Sequence, residues 1–108
     1  MKRRSSSDRE AYRRQAVICK ALANPTRLHL IALLGREGCW SSHLQQELAI
    51  SKANLSQHLS ILKAAGMVST HREGKQLYCD VSMPQVTQAT TLLRDMLNKQ
   101  VRAARRVL

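Results

Sequence analysis

Between Ser41 and Ser69 the chain reads SSHLQQELAISKANLSQHLSILKAAGMVS, two helix-period segments separated by one tight turn. In the first segment Ser41 or Ser42 opens a helix of about two turns, with Gln45 as capping-box partner of Ser42. Leu44, Leu48 and Ala49 are its inward positions. Ile50-Ser51 is the turn, and Ser51 is an N-cap for the longer segment, whose apolar positions are Leu55, Leu59 and Leu62. After Gly66 the period changes from helical to two. Met67 to Arg72 and Gln76 to Ser82 read as strands joined by Glu73-Gly74-Lys75, a hairpin with a glycine and a lysine at its tip.

Helices flank this unit on both sides. Ser7 and Glu10 have capping-box spacing, so a first helix is expected from near Asp8 to Leu22 or Ala23, with Tyr12, Ala16, Cys19 and Ala23 on one face. Asn24-Pro25 is a second start signal, a capping side chain followed by proline at the first helical position. That helix carries Leu28, Ile31, Ala32 and Leu34 and stops at Gly35, with Gly38 closing the loop. Met83-Pro84 ends the second strand and starts a last helix striped by Val86, Ala89, Leu92, Leu93, Met96, Leu97 and Val101. The expected fold is mainly α with a small β-hairpin (α+β), in the order α1-α2-α3-α4-β-β-α5: a winged helix-turn-helix. Residues 1–7 are expected to be a disordered basic tail, and residues 8–108 a single winged helix-turn-helix domain.

Composition narrows the partners. The chain has no Phe, so its core must come from Leu, Ile, Val, Ala and Met. Lys and Arg number 18 against 7 Asp and Glu, a formal net charge of +11, which suits a polyanion such as nucleic acid. No apolar run approaches the ~20 residues that span a bilayer. MKRRSSS is not followed by the apolar stretch of a secretory signal. Cys19, Cys39 and Cys79 are odd in number and far apart, a poor disulfide framework that fits a reducing cytoplasm. No Gly-rich phosphate loop, paired-carboxylate motif or nucleophile motif marks an enzyme.

The longer central helix has no acidic residue from Ser51 to Ser69. At ~100° per residue Leu59 and Leu62 fall within about 40° of Leu55, leaving Lys52, Ala53, Ser56, Gln57, Ser60 and Lys63 on the opposite side. Glutamine can bond a base edge in two places, serine can reach a base or a phosphate, and lysine supplies phosphate charge. A carboxylate there would repel a DNA backbone. Lys52, Ser56 and Gln57, in the N-terminal half, are the candidates nearest the bases, with Ala53 able to touch a thymine methyl. Ser60 and Lys63 are candidates for the backbone. His58 is read as a structural flank residue. The hairpin adds Arg72, Lys75 and Gln76, with His71, around a tip opposed only by Glu73.

ALANPTRLHLIALL (21–34) and HLQQELAISKANLSQHLSILKAAGMVSTHREGKQLYCDV (43–81) resemble the ArsR/SmtB family of bacterial winged-helix repressors. The resemblance covers about Ala16 to Val81, and the last helix matches in kind. It implies a homodimer paired through the first and last helices, an inverted-repeat operator, repression, and release by an inducer that is often a metal or metalloid ion. It also implies DNA contact at Lys52, Ala53, Ser56 and Gln57. Two-fold symmetry would set the two reading helices one DNA turn apart.

The family's metal motifs do not carry over. The two cysteines of its third-helix metalloid motif fall here on Trp40 and Ser42, and no histidine follows His71 to build its last-helix zinc site. No metal site is therefore assignable. The remaining candidate sensor is a thiol pair, Cys19 with Cys39 of a partner subunit, able to bind As(III) or to oxidise. Against it stands the reading of all three cysteines as small buried hydrophobes. The expectation is a cytoplasmic, homodimeric repressor released by an unidentified signal. The alternative is a winged-helix module for protein interaction whose basic surface is incidental.

Overall fold

The computed structural model describes residues 6–35 and 37–107. The elements are α1 (Ser6–Leu22), α2 (Pro25–Leu34), β1 (Cys39–Trp40), α3 (Ser41–Leu48), α4 (Lys52–Ala64), β2 (Val68–Glu73), β3 (Gln76–Val81) and α5 (Pro84–Val107). Five helices thus surround a three-stranded antiparallel sheet of order β1-β3-β2. The hairpin expected from the sequence is β2–β3. The third strand, β1, is an addition: two residues after Gly38 pair with β3 in the register Cys39↔Cys79 and Trp40↔Tyr78.

Local chemistry sets most of the boundaries. Asn24 caps α2, its Oδ1 accepting from the Arg27 N–H at 3.1 Å, and Pro25 opens the helix. Ser51 caps α4, its Oγ accepting from the Asn54 N–H at 3.0 Å. At the hairpin Glu73 pairs with Gln76, so the loop is two residues rather than three. Gly74 takes φ 62°, the positive value a two-residue hairpin demands of its first central residue.

Two expected caps are absent. Ser6 and Ser7 are already helical, so Ser7 lies inside α1 rather than at its N-cap; residues 1–5 lie outside the described residues. Trp40, not Ser41 or Ser42, occupies the N-cap of α3, without a side-chain hydrogen bond, because pairing of β1 with β3 fixes the chain direction there instead. Ala49 does not point inward. It is exposed, at φ 53° ψ 46°, and its N–H closes the end of α3 on the Gln45 and Gln46 carbonyls. A non-glycine residue in the left-handed region makes the bend between α3 and α4.

The core is one cluster. Leu30, Ile31 and Leu34 of α2, Leu44 of α3, Leu55, Leu59 and Leu62 of α4, and Met67, Val68, Cys79 and Val86 are all buried, with Ala21 and Leu22 at the end of α1. The N–H of Ser82 and its hydroxyl hold the Met67 and Gly66 carbonyls, tying the hairpin base to the end of α4. On α2 the buried side is set by Leu30 rather than Leu28 or Ala32, which are exposed. On α1 it is Ala21 and Leu22, so the Tyr12–Ala16–Cys19–Ala23 face stays exposed. Along α5 only Val86 of the expected stripe is buried; Ala89, Leu92, Leu93, Met96, Leu97 and Val101 are open. The radius of gyration is 16.8 Å, against about 13 Å for a compact chain of this length. The excess comes from long terminal helices that one chain cannot cover.

The turn supplies a test. Ala49→Gly should leave the urea midpoint equal or higher, and Ala49→Val should lower stability by about 1 kcal/mol or more, because a β-branched side chain fits the left-handed region worst. Equilibrium unfolding at one protein concentration measures both. Ser51→Ala should cost about 1 kcal/mol through loss of the α4 cap.

Candidate nucleic-acid interface

Leu55, Leu59 and Leu62 turn one side of α4 into the core, and the other side follows by geometry. Lys52, Ala53, Ser56, Gln57, Ser60 and Lys63 are all exposed. Asn54 is exposed beside them, so the polar surface at the start of the helix is wider than the expected set. Lys63 is partly engaged: its Nζ donates to Thr70 Oγ1 at 2.9 Å, pinning the end of α4 to β2. A lysine held this way keeps its charge on the surface where the helix meets the wing.

At the wing, Arg72, Lys75 and Gln76 are exposed around Gly74. Glu73, the acid among these cations, lies 3.3 Å from His71 Nε2. The second acid of the hairpin, Asp80, accepts the Ser69 hydroxyl at 2.7 Å near the hairpin base. The wing tip therefore presents Arg72 and Lys75 with little opposing charge.

His58 has a structural partner. Arg27 donates through Nε to the Ala21 carbonyl at 2.5 Å, and its terminal nitrogen lies 3.2 Å from His58 Nδ1. Arg27 carries no acceptor, so in a hydrogen bond here the guanidinium donates and Nδ1 accepts. One half-buried guanidinium thus joins the end of α1, α2 and α4 and fixes the rotation of the reading helix. Sequence reasoning passed over Arg27. The signal available was a lone cation among the apolar residues of α2.

The cysteines divide. Cys19 is exposed on α1, Cys39 is half-buried on β1 and Cys79 is fully buried on β3. They are far apart in sequence, yet Cys39 and Cys79 stand directly opposite each other in the sheet. Burial pushes the Cys79 thiol up to about 11, with the charges of Cys39 and Asp80 adding to the shift and Lys63 opposing it. Burial also raises Cys39. Within one chain Cys19 has no such counterpart among the described cysteines, and no three His, Cys, Asp or Glu side chains gather as a metal site among the described residues. No single helix there is both long and apolar enough to cross a membrane.

This arrangement has known counterparts. Residues 22–71 match the family model described as a helix-turn-helix domain. The transcriptional repressor SdpR of Bacillus subtilis (strain 168) is 33% identical over 81 residues, covering 75% of this chain and 82% of that protein. The crystal structure of NolR from Sinorhizobium fredii superposes with a TM-score of 0.77 at 31% identity, over 89% of this chain and 96% of that one. A homodimeric winged helix-turn-helix DNA-binding domain from Mycobacterium bovis reaches a TM-score of 0.82 at 23% identity, over 95% of each chain, a likeness of fold. With the acid-free outer face of α4 and the basic wing in the same order along the chain, the conclusion is direct: this chain belongs to the ArsR/SmtB family of winged helix-turn-helix transcriptional regulators.

Proposed function

We propose that the protein is a non-catalytic, sequence-specific transcriptional repressor of the cytoplasm that binds an inverted-repeat operator as a homodimer. The observation that carries this reading is the exposed face of α4, six side chains of which five are hydrogen-bonding or positive and none is a carboxylate. In this reading Lys52, Ala53, Ser56 and Gln57 meet base edges in the major groove. Ser60 and Lys63 meet the backbone, and Arg72, Lys75 and Gln76 bring the wing onto the neighbouring phosphates. Arg27 acts through His58 as a positioning residue.

Dimerisation uses the open apolar surface of the terminal helices. Tyr12 and Val17 on α1 and Leu92, Met96 and Val101 on α5 are 41–65% exposed, a concentration of apolar area that a lone soluble chain seldom leaves in water. Pairing these helices around a two-fold axis covers them and sets two α4 helices about 34 Å apart, the rise of one DNA turn. A repressor so built works by occupying its promoter. The signal that releases it is unidentified, and Cys19 and Cys39 are the candidate sensing thiols.

Selection of bound duplexes from a random pool should yield a palindromic consensus, and fluorescence anisotropy on it then measures the variants. Gln57→Ala should lose about 1–3 kcal/mol of discrimination at one position of each half-site. Lys75→Ala should weaken all duplexes alike and make the salt dependence shallower by about one phosphate contact per protomer. If both substitutions leave binding unchanged, or if no sequence preference emerges, the protein is an interaction module whose basic surface is incidental. Met96→Glu should convert the dimer to monomer in sedimentation and abolish tight operator binding without unfolding the helix-turn-helix core.

A further inference from the structure

Cys39 and Cys79 are directly opposed residues of an antiparallel strand pair, so their side chains emerge on the same face of the sheet. Opposed Cβ atoms in such a pair lie about 4.5–5.5 Å apart. Cys79 sits at the bottom of this two-thiol site, fully buried, while Cys39 is half-buried and open to entry. The third residue of the row is Thr70 on β2, opposite Cys79, and its hydroxyl is already taken by Lys63. Two sulfurs are therefore the whole donor set among the described residues, since no cluster of three His, Cys, Asp or Glu forms.

The geometry points to a binding site for one thiophilic divalent cation of linear, two-thiolate coordination, of which Hg(II) is the type. A structural zinc ion requires four ligands and finds two. Soft thiolates select soft metals, and a linear ion needs no third donor. Charge agrees with this choice. Each thiol loses its proton to solvent as a metal–sulfur bond forms, so two S–H bonds break, two metal–sulfur bonds form and two protons leave. A divalent ion with two thiolates is then neutral, the one charge state that a buried apolar site accepts without a counter-ion. A monovalent soft ion such as Cu(I) would leave a net negative charge there, offset only by Lys63 at the surface. The half-buried Cys39 captures the ion first and Cys79 completes the bridge, fastening β1 to β3 beside the Trp40–Tyr78 edge contact, whose ring centroids are 5.3 Å apart.

The test uses reduced full-length protein with one equivalent of HgCl2 and a few equivalents of glutathione as competitor, read by native mass spectrometry. Wild type and Cys19→Ser should each retain one mercury per chain, with a mass gain equal to the metal less two hydrogens. Cys39→Ser and Cys79→Ala should retain at least tenfold less. Cys39→Ser, at a half-exposed position, carries the test if Cys79→Ala fails to fold by circular dichroism. Zn(II) should not be retained by any of them, and Cu(I) should be held more weakly than Hg(II). Retention by Cys39→Ser at the wild-type level, loss of retention in Cys19→Ser, or retention of Zn(II) equal to that of Hg(II) would each overturn the site.

Discussion

Burial of Leu55, Leu59 and Leu62 against Leu30, Ile31, Leu34 and Leu44 is the contact on which everything else in this molecule rests. It holds α4 in the domain and, because a helix has fixed angular spacing, it also decides which residues look outward. Moving that stripe by one position would rotate Gln57 about 100° and bury or tilt the polar face. The reading surface is thus specified from behind, by leucines that never touch a ligand. The Arg27–His58 contact adds a polar stop to the same rotation, placed on the flank where apolar packing leaves freedom.

Much of this was legible in the residues. Asn24-Pro25 and Ser51 announced two helix starts through chemistry confined to four residues, and both caps are present. The α4 wheel needed only a correct register, which three leucines supply. Signals that failed were those in which a distant element overrode a local preference. Ser42 has the residues for a capping box, but β1 pairing directs the chain into α3 before that box can form. Two residues of strand have no periodicity to read, so β1 was invisible, and with it the neighbourhood of Cys39 and Cys79. Ala49 looked inward because alanine is apolar; its backbone, not its side chain, has the role.

The outer helices make a different point. Their stripes were legible as apolar faces, but the sequence alone does not say whether such a face meets its own chain or another. The structure divides them: Val86 of the α5 stripe serves the core, α1 serves it through Ala21 and Leu22 off its expected stripe, and the rest of both stripes is exposed. Among the described residues the core closes on thirteen buried side chains, and the last turns of α5 extend past it. The same chain therefore carries two hydrophobic surfaces with separate purposes, one complete within the protomer.

Gly38 sets how closely the chain entering β1 approaches β3. A Cβ at that position would collide with the Cys79 carbonyl, the Asp80 side chain and the Tyr78 ring, so the backbone there lies against β3 at a distance only hydrogen allows. α3 begins two residues after β1 starts and inherits its position from the sheet rather than from the end of α2. The helix pair that faces outward and the wing are thereby registered to one and the same strand, β3.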